Sequence, residues 1–353
     1  MTRKPTHLSF TALIETKGFT MKFTDTRAKP MTSRRNLHDL LTKKIARPEP
    51  LSVSEYGKLS GDARDVYDAA RVRFASGGLV IRTPQTRTAL TILDQLVDEN
   101  SARIGTQSGL LISGAAGFGK TTLLKSIMRP MYAEYDKYRH GAYADGFTPI
   151  AYIEAPADGR PKNLLEHACF FYGVLIGRAE TLASIQARLV DTMNAADTRL
   201  LVVDEMHNLN GSSTANGDTV DILRSIHNQV PATFVYAGLN LLGGKLLSGP
   251  KGAQITARST ALQMTQYTMR KPTLRKEWHT LVSSLEKALP LVGHEAGQLV
   301  IHGERLAELC DGSLGKLSEM LTGIAIQRIR STDHDETITL SHIEARAHRA
   351  VAA

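Results

Sequence analysis

The stretch Gly109-Leu-Leu-Ile-Ser-Gly-Ala-Ala-Gly-Phe-Gly-Lys-Thr-Thr122 decides the fold of this chain. Residues 110–112 are a short apolar run, which is typical of a strand buried in a parallel sheet. The residues that follow match the phosphate-loop pattern G-x-x-x-x-G-K-[ST] without a mismatch. The alternative, a glycine-rich turn with a chance lysine, does not explain why a strand precedes the loop and a helix follows it. The fixed positions of the pattern are Gly114, Gly119, Lys120 and Thr121.

The phosphate loop predicts an ATP and Mg²⁺ site at the start of a helix. We expect that helix to run from Thr121 to about Met128 and to end before Pro130. Its N-terminal dipole favours a triphosphate, the Lys120 ammonium would reach the β- and γ-phosphates, and the Thr121 hydroxyl would bind Mg²⁺. The residues predicted to contact ATP here are Gly114, Ala115, Ala116, Gly117, Phe118, Gly119, Lys120, Thr121 and Thr122.

A second informative stretch is Leu200-Leu-Val-Val-Asp-Glu205. Four apolar residues predict a strand buried on both faces, and the two carboxylates then emerge at its C-terminal end, where open α/β sheets bind their ligands. After a phosphate loop this is the Walker B arrangement. Asp204 would hold Mg²⁺ through water, and Glu205 would act as general base on the attacking water. The alternative is a strand that merely ends in two surface carboxylates.

Two further residues are candidates for the catalytic step. The predicted strand Ala232–Ala237 leads to Asn240, which would lie near the same sheet edge and sense the γ-phosphate, or serve only as a turn residue. Arg258 stands just before the predicted strand Thr260–Met264. An arginine at such a loop end can act on a neighbouring subunit's nucleotide, or it can be an ordinary surface charge.

Composition places the chain among large globular proteins and gives it a basic N-terminal arm. Its 353 residues carry a net charge of +8, and residues 1–50 hold eleven Lys/Arg against four Asp/Glu, so most of the excess lies there. Such an arm favours an acidic polymer as partner, most simply nucleic acid, although a solvated tail is the alternative. With neither a long apolar run nor a signal sequence, and with two widely spaced cysteines, we expect a cytoplasmic protein without a membrane span.

Outside these motifs, the chain is predicted to be largely helical before and after an alternating strand–helix region. Leu79-Val80-Ile81 is a strand-like run between two helical segments, and the pattern becomes all helical after Pro272. The predicted divisions are a basic, partly disordered arm at 1–50, a helical segment at 51–100, a nucleotide-binding domain at 101–272 and a helical domain at 273–353.

The order of these features resembles AAA+ ATPases, and most closely the TniB-type transposition ATPases, which are related to TnsC, MuB and IstB. The resemblance covers roughly residues 80–345. It rests on both Walker stretches, the run Val203-Asp-Glu-Met-His-Asn-Leu209, Arg258 and the run Asp311-Gly-Ser-Leu-Gly-Lys-Leu317. It implies a P-loop NTPase fold of the AAA+ type, in which a three-layer parallel-sheet core is followed by a small all-helical lid domain.

The resemblance also implies a function and one more site residue. Lys316 would lie in the lid, at or near the sensor 2 position, and touch the nucleotide. The protein would be a bacterial ATPase that binds double-stranded DNA as an ATP-dependent homo-oligomer, either a ring or a helical filament, and recruits a DDE transposase. The alternatives are a helicase-loader-like ATPase that remodels DNA, and a signalling NTPase switch that binds a protein partner and no DNA.

Overall fold

A five-stranded parallel sheet forms the centre of the protein, in a computed structural model that describes residues 29–103, 105, 107–210, 215–248, 250–331 and 335–351. The order across the sheet is β2-β3-β4-β1-β5, and every pairing is parallel. The carboxyl ends of all five strands therefore meet at one edge. The strands are β1 (Gly109–Ser113), β2 (Ile150–Glu154), β3 (Leu200–Asp204), β4 (Thr233–Gly238) and β5 (Ser259–Gln263).

Helices precede, connect and follow the strands. They are α1 (Arg34–Thr42), α2 (Val53–Gly57), α3 (Gly61–Gly77), α4 (Pro84–Ser101), α5 (Lys120–Tyr138), α6 (Pro161–Tyr172), α7 (Leu182–Ala195), α8 (Ala215–Gln229), α9 (Lys245–Ser248), α10 (Pro250–Ala257), α11 (Pro272–Ala288), α12 (Gly303–Leu309), α13 (Leu314–Ile329) and α14 (Leu340–Val351). Short 3-10 helices cover Met206–Asn210 and Val300–His302. None of the described helices combines the length and the apolar character needed to span a membrane.

The larger hydrophobic core lies on the sheet. Every residue of β1, β3 and β4 is buried, as the continuous apolar runs in the sequence predict for strands covered on both faces. Helices α4 and α6 pack directly on strands, and α1 and α4 pack on α5. We call the sheet with α1 and α4–α10 the sheet body. The predicted parallel α/β core is confirmed.

A second, separate hydrophobic core joins the C-terminal helices. Its centre is Trp278 of α11, which is fully buried and donates from its indole nitrogen to the Gly303 carbonyl at 2.7 Å. Helices α12, α13 and α14 contribute Leu306, Leu321 and Ile343 to the same core. Helix α3 packs against α13, so an N-terminal segment of the chain joins the C-terminal one. We call α2, α3 and α11–α14 the lid cluster.

A buried ion pair links the two ends of the chain inside the lid cluster. Arg71 on α3 is 1% exposed and donates to both carboxylate oxygens of Glu336, at 2.5 and 2.8 Å. Asp68 accepts a further hydrogen bond from the guanidinium at 2.5 Å. The rings of Tyr56 and Tyr67 each lie 5.0 Å from the guanidinium carbon. Because the charge is paired and enclosed, it holds α3 to the segment before α14.

Helix α5 is longer than the sequence predicts. It was expected to end near Met128, but it continues through Pro130 to Tyr138. Proline removes one backbone hydrogen bond from a helix. That loss is offset because Ile127 and Tyr132, on both sides of the proline, are buried in the core of the sheet body. Tertiary packing therefore overrides the local breaker.

The strand predicted at Leu79-Val80-Ile81 is wrong. The segment is extended but pairs with no strand of the sheet. Leu79 and Ile81 pack against the core of the lid cluster, and Val80 between them is 52% exposed. The segment crosses the surface of the lid cluster, so its residues alternate between the apolar core on one side and solvent on the other.

The described part of the basic arm begins at residue 29, so residues 1–28 lie outside the described residues. Within it, α1 buries Leu37 and Leu41 in the sheet body and packs along α5. His38 stacks on the ring of Tyr143 at 3.7 Å and lies 2.5 Å from the Tyr132 hydroxyl. These tyrosines therefore have packing partners within the protein.

Candidate functional site

The loop between β1 and α5 forms a cradle of backbone amides. Ser113 ends a buried strand, and Gly119 caps α5 with φ +85°, a left-handed conformation that glycine adopts without steric cost. Since Gly119 has no side chain, no side-chain cap satisfies the first N–H groups of α5, and these groups are available to an anion. The local geometry thus fits the phosphates of a nucleotide.

Lys120 points into this loop. Its side chain is 7% exposed, and its ammonium donates to the carbonyl oxygens of Gly114 and Ala115 at 3.1 and 2.9 Å. Burial lowers the pKa of Lys120, while the nearby carboxylates of Glu205 and Asp204 act in the opposite direction. The loop therefore holds the Lys120 ammonium close to the carboxylates of Asp204 and Glu205, an arrangement that suits a site for a triphosphate and its metal ion.

Asp204 ends β3 as a buried carboxylate that is 1% exposed. One oxygen accepts from the Tyr152 hydroxyl and the other from the Glu205 backbone N–H, both at 2.8 Å. Tyr152 lies on the neighbouring strand β2, and burial followed by the charge of Asp204 raises its pKa. Tyr152 therefore remains a neutral donor that fixes the carboxylate. Its role could not be predicted from the sequence, because a tyrosine inside an apolar strand is typical of a core residue.

Glu205 adopts a strained backbone where the strand ends. Its φ is +53°, a conformation that non-glycine residues rarely hold and that is concentrated at functional sites. The Glu205 carboxylate lies 3.0 Å from Nδ1 of His207, and the Leu239 backbone N–H donates to the same nitrogen at 3.4 Å. His207 thus bridges the ends of β3 and β4. The motif around it carried the family resemblance, but its contact with Glu205 could not be read from the sequence.

Asn240 lies on the same edge of the sheet as the phosphate loop. Gly238 is in register with Ser113, and Gly114 N–H donates to the Gly238 carbonyl at 3.3 Å. Asn240 follows two residues later with φ +44° and is exposed. Its side chain forms no hydrogen bond within the described part of the chain. Its position fits the predicted role, and its left-handed backbone also fits the alternative of a turn residue.

The lid cluster touches the phosphate loop through Ser313, not through Lys316. Ser313 caps α13 and donates from its hydroxyl to the Gly117 carbonyl at 2.5 Å. Gly315 allows this approach, because a Cβ there would lie 2.5 Å from the same carbonyl. Lys316 is half exposed and pairs with Asp311. Its proposed contact with nucleotide would require leaving Asp311, and Ser313 is a site residue that sequence reasoning missed.

Arg258 lies at the opposite edge of the sheet. Its carbonyl accepts from Gly109 N–H at 2.9 Å, at the start of β1, whereas the phosphate loop follows the end of that strand. Five residues of parallel strand, at about 3.3 Å each, separate the two edges by about 16 Å. The exposed guanidinium contacts the Asn228 side-chain oxygen at 3.3 Å. Arg258 is therefore not part of the phosphate site of its own chain.

The donor set fits Mg²⁺ bound together with phosphates. No group of three or more His, Cys, Asp or Glu side chains that could hold a metal occurs among the described residues. Mg²⁺ usually takes one or two protein oxygens and completes its shell with substrate phosphates and water. Asp204 and the Thr121 hydroxyl are oxygen ligands of that kind. Asp204 is the last residue of β3, and Thr121 lies in the first turn of α5, where a nucleotide's phosphates would lie.

Comparison with known proteins identifies the family. The family model described as "Bacterial TniB protein" matches residues 71–267, more than half of the chain. The chain belongs to the TniB family. A search of curated proteins gave no match. Family membership, the parallel-sheet fold and the phosphate loop make this TniB protein an AAA+ ATPase, and they confirm the predicted family, fold class and enzyme type.

Solved structures share the fold at low sequence identity. The Orc1 protein of Aeropyrum pernix, solved in complex with DNA, is 15% identical with a TM-score of 0.58, over 77% of this chain and 66% of that one. The Orc2 protein of Aeropyrum pernix, solved with ADPNP and ADP, is 18% identical with a TM-score of 0.55, over 79% and 71%. Cdc6p of Pyrobaculum aerophilum is 14% identical with a TM-score of 0.56, over 78% and 70%. The TniB chain thus spans about two thirds of the length of these proteins.

Proposed function

We propose that this TniB ATPase assembles on double-stranded DNA when it has bound ATP, and that the assembly recruits and activates a DDE transposase. ATP hydrolysis then resets or disassembles it. The family assignment supports a role in transposition, and the solved relative in complex with DNA supports nucleic acid as the partner.

The residues of the site take the following roles in this proposal. The loop from Gly114 to Thr122 binds the triphosphate, and Lys120 supplies a positive charge to its β- and γ-phosphates. Mg²⁺, when bound, would be held by Thr121 and, through water, by Asp204, and it would neutralise the charge that develops on the phosphates. Glu205 takes the proton of the attacking water as general base, and the contact with His207 orients its carboxylate. Asn240 senses the γ-phosphate, and Lys316 reaches the nucleotide from the lid.

The position of Arg258 is the observation that carries the proposal of an oligomer. Because it lies about 16 Å from its own phosphate loop, it can act as an arginine finger only on the nucleotide of an adjacent subunit. Such a shared site couples ATP binding to assembly. A repeating head-to-tail contact of this kind closes into a ring or continues as a helical filament.

Phosphate contacts would provide the DNA affinity. Arg270 and Lys271 are exposed at the start of α11, and residues 1–50 hold most of the net charge. The basic side chains Lys245 and Lys251, in the predicted Gly243–Gly252 contact loop, lie outside what the structure describes. Backbone contacts carry no sequence information, so binding should be nearly independent of sequence.

Mobility shifts with ATP, ADP and a non-hydrolysable analogue test this function. We expect a shift of duplex DNA with ATP or the analogue and little shift with ADP. If each protomer neutralises about three phosphates, log K should fall with log salt at a slope of about −2.7. Removal of residues 1–30 should leave most of this slope, since a basic arm keeps its charge in every nucleotide state and so does not explain dependence on nucleotide.

Three outcomes separate the proposal from its alternatives. Binding that is indifferent to nucleotide would contradict assembly coupled to ATP. Co-purification with a helicase in place of a transposase would favour the helicase-loader alternative. The absence of DNA binding in every nucleotide state, together with ATP-dependent capture of a protein partner, would favour the signalling switch.

A further inference from the structure

A basic groove runs along the outer face of α11, on the lid cluster and away from the nucleotide site. It has a volume of about 600 Å³, and Arg275, Lys276, His279 and Lys287 supply its cationic and titratable side chains. Counted from His279, the other three lie three, four and eight residues away, so all four lie on one side of the helix. The opposite stripe, with Trp278, is buried in the core of the lid cluster. Helix α11 thus separates an apolar inner face from a basic outer face.

The groove is almost free of carboxylates. Lys276 and Lys287 are exposed and form no ion pair with any residue that the structure describes. Within the part of the chain that the structure describes, the one ion pair of these groove cations joins Arg275 to Glu304, at 3.6 Å. Glu286, although on the same helix, is buried and accepts from the backbone N–H groups of Gly297 and Leu299 at 2.7 Å.

The charges extend beyond the groove at both ends. Arg270 and Lys271 precede α11, and Arg47 donates to the Lys287 carbonyl at 3.0 Å where the helix ends. Lys276 and Lys287 are about 16 Å apart along the helix axis, at about 1.5 Å per residue. The result is a line of cations long enough to follow an extended polyanion.

We infer that the α11 groove is a binding surface for the phosphate backbone of duplex DNA, which rests on the function proposed above. The short side chains of Thr280, Ser283 and Ser284 line the groove between the two lysines and leave room for a ligand. Their hydroxyl groups are also common hydrogen-bond partners of phosphates. The described residues that line it include no Phe, Tyr or Trp, the large aromatic anchors that protein interfaces use. A duplex carries about one negative charge per 1.7 Å of its axis. A line of cations is therefore a better match for a duplex than for a small anion with a single charge.

The test removes two cations from the groove and compares the result with the removal of two cations from the sheet body. The double variant Lys276→Gln/Lys287→Gln is compared with Lys137→Gln/Lys162→Gln, whose lysines are 73% and 40% exposed on α5 and α6 of the sheet body. Affinity for a fluorescent duplex of arbitrary sequence is measured by anisotropy with the non-hydrolysable ATP analogue, between about 50 and about 200 mM salt.

In the groove variant, we expect the slope of log K against log salt to be less steep by about 1.8, since each lost phosphate contact accounts for about 0.9. At about 0.1 M salt the same loss corresponds to affinity weakened by about 60-fold. The control variant should keep the parent's slope. ATPase activity without DNA should be equal in all three proteins, because neither pair of lysines lies in the nucleotide site.

Each contrary result has a separate meaning. If the parent binds DNA and the groove variant binds with the parent's slope, the groove is not a DNA surface and the proposed function stands. If the parent binds no duplex in any nucleotide state, both the function and the groove assignment fail. If a fluorescent poly-glutamate peptide binds in a groove-dependent way while DNA binding is unaffected, the groove serves an acidic protein segment and the inference is overturned.

Discussion

The buried pair between Arg71 and Glu336 gives a prediction whose size follows from its burial. The change Glu336→Gln keeps the shape of the side chain but removes its negative charge. In the parent, the two carboxylate oxygens accept hydrogen bonds from the guanidinium of Arg71, which is 1% exposed. Breaking a buried ion pair typically costs about 3–5 kcal/mol, because an uncompensated charge stays inside. Asp68 still accepts one hydrogen bond from Arg71, so we expect the lower end, about 3 kcal/mol.

The control is an exposed pair near the same end of the chain. Glu344 also accepts two hydrogen bonds from an arginine, Arg305, at 2.7 and 3.1 Å. Their side chains are 30% and 45% exposed, so solvent screens the interaction. We therefore expect Glu344→Gln to destabilise the protein much less than Glu336→Gln does.

The assay uses the chain's single tryptophan. Trp278 is fully buried in the lid cluster, so its fluorescence during urea unfolding reports on that part of the protein. The denaturant slope grows with chain length, so for this chain we take about 3 kcal/mol per molar, and a loss of about 3 kcal/mol lowers the urea midpoint by about 1 M. If Glu336→Gln moves the midpoint no further than Glu344→Gln does, the buried pair contributes no more than an exposed one, and the reasoning fails.

Three further predictions concern the nucleotide site and the sheet. Lys120→Ala should abolish the thermal stabilisation by Mg-ATP without unfolding the protein; equal stabilisation of variant and parent would refute its role. Glu205→Gln should still bind ATP but hydrolyse it about 10²–10⁴-fold more slowly, and mixing it with Arg258→Ala should restore some activity in an ATPase assay. The absence of rescue at any mixing ratio would argue against a shared site. Burial lowers the pKa of His227 to about 4, with Arg258 adding to the effect. The folded state therefore favours neutral His227, and stability should fall by about 1.5 kcal/mol between pH 6.5 and pH 5 as the unfolded-state histidine becomes protonated. His227→Phe should remove most of that loss in urea unfolding.

The strands that position the candidate nucleotide site could be predicted because their signals are local. A strand buried on both faces must be apolar throughout, and the phosphate loop must change direction through glycine, so β1, β3 and the residues after them follow from the order of residues alone. The shared edge of the sheet follows from parallel pairing. The roles of the individual side chains at that edge stay predictions.

What could not be predicted depends on contacts between distant residues. Ser313 signals the start of a helix, but nothing local shows that its hydroxyl donates to Gly117, 196 residues earlier. The partner of Arg71 lies 265 residues away. The continuation of α5 past Pro130 likewise depends on a core assembled from several other elements. In each case contacts with residues far away in the sequence decide the outcome, and no local pattern encodes those contacts.

The route of the chain between the sheet body and the lid cluster has a mechanical consequence. The chain passes between them three times: between α1 and α2, between α3 and α4, and between β5 and α11. A body tethered at one point can turn about any axis, whereas three separate tethers leave only movements that bend or stretch the tethers themselves. Any rotation of the lid cluster, and with it of Ser313 on the phosphate loop, must therefore displace the segment that follows α1. A pull on the segment between α1 and α2 should therefore also move the lid cluster, and with it the contact between Ser313 and Gly117.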